Sequence, residues 1–311
     1  MRNILITTSS FDYCDENLFS SIAAEGYRIQ FNPLKRKLTE EEVSDFVEEY
    51  HPIGIIAGVE PLTRCVIQKA KHLKVISRCG IGLDSVDLEA ARDYGIIVKN
   101  TPDGPTRPVA ELSIGLMICL LRHIHVTNDA IRKGQWERPM GSLLYQKTVG
   151  ILGCGRIGKC VAKLLSGFEC RVLGYDIHQG DDHDHYAKVS MKDLLNQSDI
   201  LTLHLSYSPA THHIMNSEKI QMMKKGAFLI NAARGALVDE NALYEALQCG
   251  HLGGAALDTF EEEPYQGPLC DLDNVLLTSH IGSYAKEARM MMEKQAWENL
   301  FYELKKREAG H

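Results

Sequence analysis

The chain has 311 residues, 44% hydrophobic and 24% charged, with a formal charge of −7. This length and composition predict an ordinary globular protein of about two domains, and the acidic balance excludes a general polyanion binder, which needs clustered Lys and Arg. Nine cysteines, scattered and without a CxxC pair, exclude a disulfide framework and a zinc site.

The opening MRNILITTSS runs directly into a strand-like segment and has no secretory architecture. The most apolar stretch, Val109–Leu121, is interrupted by Glu111 and is too short to span a bilayer. No nucleic-acid partner, no membrane partner and a reduced, cytoplasmic setting are expected. In chain order, strands are predicted at Ile4–Thr8, Arg28–Asn32, Gly54–Gly58, Lys74–Cys79 and Ile96–Asn100. The clearest helix between them is Thr39–Tyr50, with Thr39 as N-cap, an acidic first turn, and Val43, Phe46 and Val47 on one face. Alternation of this kind implies a parallel sheet covered by helices.

The run NTPDGPTRP, residues 100–108, marks a break. A long apolar helix, Pro108–Arg132, is predicted to follow at a domain or subunit junction. A second series of six strands comes next: Thr148–Leu152, Cys170–Asp176, Ile200–Leu205, Phe228–Ala232, Ala255–Asp258 and Val275–Thr278. Tyr284–Lys306 reads as one amphipathic helix that returns to the first domain. The predicted fold is α/β: a Rossmann-type doubly wound parallel sheet, residues 101–283, plus a smaller flavodoxin-like α/β substrate domain, residues 1–100 and 284–311, discontinuous in sequence. No further regulatory domain is expected after the final helix.

The strand Val149–Leu152 runs into Gly153-Cys154-Gly155-Arg156-Ile157-Gly158 and then a helical segment. In this G-x-G-x-x-G spacing the first glycine permits a tight turn, the second lets a pyrophosphate approach the backbone, and the third lets helix pack on strand. The helix N-terminus offers unpaired N–H groups and a favourable dipole to phosphates. A second strand ends at Asp176, 18 residues past Gly158, where a ribose-binding carboxylate belongs. A carboxylate there repels a 2′-phosphate, so NAD is the expected cofactor, not NADP.

Arg234, Glu263 and His280 stand after the later strands, and ligands of open α/β sheets bind beyond the carboxyl ends of strands. Hydride transfer to a carbonyl carbon needs a proton donor at its oxygen, and a histidine serves both directions. A carboxylate beside it holds the ring. An arginine grips a substrate carboxylate through two parallel hydrogen bonds.

Taken with SRCGIGLDSVDLEAA, NTPDG, VAEL, GILGCGRIG, GYD, INAARGALVDENAL, ALDTFEEEP and TSHIGS, the chain resembles the D-2-hydroxyacid dehydrogenase family over nearly its whole length. Within it the chain is most similar to the short-form phosphoglycerate dehydrogenases. The resemblance implies that Arg234 is the catalytic arginine, Glu263 the glutamate and His280 the acid/base histidine. It implies cofactor contacts at Arg156, Ile157, Asp176, Ala232, Ala233, Arg234, Asp258, His280, Gly282 and Ser283, beside Gly153, Gly155 and Gly158 of the motif. Arg78, Gly80 and Gly82 fall on its substrate-facing loop, with Arg234 as a further substrate contact.

The partner so implied is a small 2-hydroxy or 2-oxo acid, with 3-phosphoglycerate first among them. The phosphate-holding arginine of phosphoglycerate dehydrogenases is missing just after Gly54–Ala57, where Gly58-Val59-Glu60-Pro61 brings an anion close by; Arg78 is the expected substitute, with Arg64 and Arg107 as other candidates. A glyoxylate or hydroxypyruvate reductase therefore remains an alternative, and a non-catalytic NAD-sensing protein a third. A homodimer is expected, with the helix Pro108–Arg132 as its seam or else as an intradomain core helix. The run Asp181-Asp182-His183-Asp184-His185 is read as a solvated loop, and no metal is expected. Packing or solvent roles are expected for His204, His212 and His213, and packing for Cys79.

Overall fold

Short runs rich in Val, Ile and Leu form the strands, and every strand pair is parallel. The computed structural model describes residues 2–11, 22–178 and 185–309. One sheet contains β1 (Arg2–Ile6), β2 (Tyr27–Phe31), β3 (Gly54–Ala57), β4 (Val75–Arg78) and β5 (Ile97–Asn100). Its order, β2-β1-β3-β4-β5, is that of flavodoxin-like sheets. The other contains β6 (Thr148–Leu152), β7 (Arg171–Tyr175), β8 (Ala187–Lys188), β9 (Ile200–Leu203), β10 (Ala227–Asn231), β11 (Leu252–Leu257) and β12 (Val275–Leu277). Its order, β12-β11-β10-β9-β6-β7-β8, is doubly wound about β6 and β9. Every residue of β3, β4, β6 and β9 is buried, as parallel strands covered on both faces require. The fold is α/β and Rossmann-type, as the alternation implied.

The helix Glu40–Tyr50 starts where Thr39 predicts, with a reciprocal capping box to Glu42. Two expectations need correction. The long helix is two helices, Thr106–Leu121 and Ile124–Arg132, bent by 64°. The break falls at His123, whose φ of 52° is left-handed and ends the first helix without glycine or proline. The second sheet has seven strands, not six; the added β8 is a two-residue exposed edge strand, too short to leave a pattern.

The chain divides into two compact units, Met1–Pro105 with Ser283–His311, and Thr106–Gly282. Residues 101–105, expected with the nucleotide domain, sort with the first unit. Thr101 donates to the Gly80 carbonyl at 3.0 Å, and Gly104 lies against Met292. Ser283 also sorts with the first unit.

In the first unit the helix Lys286–Glu308 places Met292, Ala296, Trp297, Leu300 and Leu304 on Ile4, Ile56 and Val75. The i, i+4 spacing of four of these residues makes one apolar stripe. In the second unit the helix Thr106–Leu121 contributes Val109, Ala110, Ile114, Met117 and Leu121 to the core beside β6. Among the described residues no single helix is long and apolar enough to cross a membrane. The eight described cysteines are free thiols; Cys14 and the Asp181–Asp184 run lie outside the described residues. No group of three His, Cys, Asp or Glu among the described residues is arranged to hold a metal.

Candidate active site

The glycine-rich turn follows β6, and its backbone is shaped by what surrounds it. Gly153 has φ 98°, and a side chain there would come within 2.7 Å of the His204 carbonyl. A side chain on Gly158 would run into the Gly153 carbonyl, whereas one on Gly155 would meet only open space. The helix Arg156–Leu165 begins immediately after Gly155, with no side-chain cap and no acidic residue in its first turn. Its first N–H groups and the open space over Gly155 fit a dinucleotide pyrophosphate. Arg156 and Ile157 form the opening turn of this helix.

Asp176 follows β7. One carboxylate oxygen accepts from Cys154 N–H at 2.8 Å and the other from His178 N–H at 2.9 Å. The backbone thus fixes the carboxylate against the glycine turn, and each oxygen keeps acceptor capacity for a ribose hydroxyl.

At the other half of the sheet, Asn231 ends β10 and is 1% exposed. Its side chain donates to the Arg234 carbonyl at 2.9 Å and accepts from Ala233 N–H at 3.1 Å, fastening the turn Ala232–Arg234. Sequence reasoning missed this residue; the available signal was a polar side chain closing the apolar run FLIN. The Arg234 guanidinium donates to the Ala233 carbonyl at 2.7 Å. Gly235 packs its Cα against the Phe260–Glu261 backbone, where any side chain would collide.

Glu263 and His280 come together within this unit. The His280 Nδ1 lies 3.0 and 3.1 Å from the two carboxylate oxygens of Glu263. Since a carboxylate accepts, this contact assigns the proton to Nδ1 and leaves Nε2 for another partner. Both side chains are partly exposed, 39% for His280 and 32% for Glu263. His280 sits at φ 55°, and the segment after it is held by Asp258. One Asp258 oxygen accepts from Ile281 N–H at 2.8 Å and Thr278 Oγ1 at 2.6 Å; the other accepts from Gly282 N–H at 2.8 Å. Asp258, expected only as a cofactor contact, therefore braces the loop that presents His280.

The Glu263 loop is braced too. Glu261 N–H donates to Glu240 at 2.9 Å, and its carboxylate meets His213 Nε2 at 2.8 Å. Burial pushes the Glu240 carboxyl above its ordinary value. His212 stacks on His213 at 3.9 Å. The His204 carbonyl lies against Gly153, its ring is bonded to Thr202 Oγ1 at 2.9 Å, and burial pushes its pKa down to about 3. It stays neutral near pH 7.

Arg78, Gly80 and Gly82 belong to the first unit, at the carboxyl end of β4. Arg78 is 8% exposed, and its guanidinium folds across Gly80 to donate to the Cys79 carbonyl. Burial pushes the Cys79 thiol up to about 11, so it stays protonated near neutrality.

Comparison with known proteins identifies the family of the chain. Residues 114–282 match the family model described as D-isomer specific 2-hydroxyacid dehydrogenase, NAD binding domain. The chain is 42% identical over 259 residues to a D-3-phosphoglycerate dehydrogenase of Methanocaldococcus jannaschii, covering 81% of this chain and 49% of that protein. It thus spans about half the length of that relative. It is 36% identical over 301 residues to a hydroxypyruvate reductase of Thermotoga maritima, covering 89% of this chain and 98% of that one. The solved D-lactate dehydrogenase of Aquifex aeolicus, complexed with NAD and lactic acid, superposes with a TM-score of 0.84 at 28% identity, covering 97% of this chain and 96% of that one. The chain belongs to the D-isomer-specific 2-hydroxyacid dehydrogenase family, and NAD is the cofactor of the domain it carries.

Proposed function

We propose that the chain is an NAD-dependent dehydrogenase of small 2-hydroxy acids, with His280 as acid/base, Glu263 as its partner and Arg234 as the substrate-carboxylate ligand. The observation that carries this reading is the His280–Glu263 pair at 3.0 Å, on a loop braced by Asp258. Bound NADH supplies the hydride to the substrate carbonyl carbon. His280 gives the Nε2 proton to the carbonyl oxygen in reduction and takes it back in oxidation, while Glu263 holds Nδ1–H and stabilises the charged ring. The Arg234 guanidinium donates to the Ala233 carbonyl, and its planar fork suits a planar carboxylate. The paired Glu263 and His280 favour this reading over a non-catalytic NAD sensor.

The test is NADH consumption with a panel of small 2-oxo acids. His280→Asn is expected to lower kcat by about 10²- to 10⁴-fold while NADH fluorescence still reports binding. Full turnover in that variant overturns the assignment. His204 offers no substitute, because its ring is neutral down to about pH 3.

We also propose a second copy of the chain as partner. Trp136 and Met140 are 82% and 92% exposed in the coil after Ile124–Arg132. The same unit carries a pocket of about 350 Å³ lined by Ile118, Leu121, Leu143, Leu144 and Phe168. Bulky exposed apolar side chains and an apolar pocket on one unit suit a self-complementary contact. Analytical ultracentrifugation is expected to show a dimer; a monomer at micromolar concentration contradicts it.

A further inference from the structure

Arg234 and Glu263 stand on different loops of the second unit, and the proposed chemistry needs them at a fixed spacing. Arg234 follows β10 and opens the turn Gly235–Leu237, which leads through Asp239 into the helix Glu240–Gln248. Glu263 lies in the loop after β11. Three contacts join the two loops. Gly235 packs against the Phe260–Glu261 backbone so closely that a side chain would collide, and Glu261 N–H donates to the Glu240 carboxylate at 2.9 Å. The third contact runs through His213, for which the sequence suggests only packing or solvent. Its backbone N–H donates to the carbonyl of Ala236, two residues past Arg234, at 2.8 Å. Its Nε2 meets the carboxylate of Glu261, two residues before Glu263, at 2.8 Å. A carboxylate accepts, so Nε2 carries the proton. One residue thus holds the arginine turn with its backbone and the glutamate loop with its ring.

The surroundings keep that bridge stiff. His213 has φ 46°, a left-handed conformation that a residue other than glycine holds at a cost. Met215 N–H donates to the Leu237 carbonyl at 2.9 Å, and Asp239 N–H to the Met215 carbonyl at 3.1 Å, so the backbone carrying the ring is laced to the arginine turn. His212 stacks on the His213 ring, with centroids 3.9 Å apart. In the glutamate loop, Phe260 N–H donates back to the Glu263 carboxylate at 3.2 Å, so a shift at Glu261 is passed on to Glu263. Burial raises the Glu240 carboxyl, the nearby Glu261 charge adds to the rise, and His213 offsets it. Without the imidazole, these two carboxylates would push the loops apart. The His213–Glu261 pair is about one-third exposed, and an ion pair so placed adds little to stability. Its value is geometric.

We propose that His213 is a positioning residue: by tying Ala236 to Glu261 it sets the spacing between Arg234 and the Glu263–His280 pair. This deepens the proposed dehydrogenase function and rests on it. In a 2-oxo acid the carboxylate and the carbonyl sit on adjacent carbons, so the substrate cannot stretch to absorb an error between the groups that grip them. A misplacement of about 1 Å costs as much as about 10²-fold in rate. Binding through Arg234 tolerates such an error; proton transfer from His280 does not.

The experiment measures kcat and KM with glyoxylate, hydroxypyruvate and 3-phosphohydroxypyruvate, NADH binding by fluorescence, and the denaturation midpoint. The proteins are the wild type, His213→Phe, His213→Gln and Glu261→Ala. His213→Phe keeps a ring to stack on His212 but has no N–H. Its kcat is expected to fall about tenfold, with KM, NADH binding and the midpoint nearly unchanged. His213→Gln places an amide N–H near the position of Nε2 and is expected to recover most of that loss. A merely structural His213 would lower the midpoint and disturb KM and NADH binding along with kcat, and the glutamine would not rescue it; that result overturns the proposal, as does an unchanged kcat in folded His213→Phe. If His213→Phe fails to fold, Glu261→Ala removes the same contact from the other side, and an unchanged kcat there overturns the proposal instead. Absence of wild-type turnover with all three acids overturns the dehydrogenase reading itself; wild-type turnover with unaltered variants overturns only the role of His213.

Discussion

At Asp176 one carboxylate faces a choice between two cofactors. Its oxygens are pinned by Cys154 and His178 N–H groups, so it cannot swing away from a 2′-phosphate. Asp176→Ala is expected to raise kcat/KM for NADPH by about tenfold or more and to lower that for NADH, as measured with one 2-oxo acid under both cofactors. Equal use of the two cofactors by the wild type contradicts the reading. Residues with distinctive chemistry or spacing, such as the three glycines, Asp176 and His280, were legible in the sequence. Asn231 was not, because its work is done through two hydrogen bonds to a turn that only the folded backbone creates. Glu60 was visible as a departure from the phosphoglycerate dehydrogenase pattern, but its burial was not.

Elements were legible where local chemistry and packing agree. Thr39 and Glu42 announce a helix start that the structure builds as a reciprocal cap. The run 108–132 misled because no glycine or proline marks the left-handed residue His123 at which it breaks. The final helix shows what packing adds to pattern. Leu300 is fully buried, and its Cδ1 lies so close to Gly54 that a side chain there would approach within 2.8 Å. Leu300→Ala is expected to destabilise the first unit by about 2–5 kcal/mol, read as a lower midpoint in chemical denaturation. A loss below about 1 kcal/mol would mean that the helix does not seat on β3 as described.

For the whole molecule, the alternation of strands and helices was enough to give two parallel sheets. The boundaries were less legible, because residues 101–105 carry turn chemistry and their affiliation depends on Thr101 and Gly104 meeting partners far away in sequence. The division of the first unit into separated segments also imposes an order on synthesis. Everything the second unit contains, Thr106–Gly282, is translated before Lys286, the first residue of the helix that covers β3 and β4. The unit that begins first is therefore finished last. While the ribosome makes the intervening residues, Ile4, Ile56 and Val75 have no Met292, Trp297 or Leu300 to cover them, and the nascent chain carries an open apolar sheet face until its closing helix emerges.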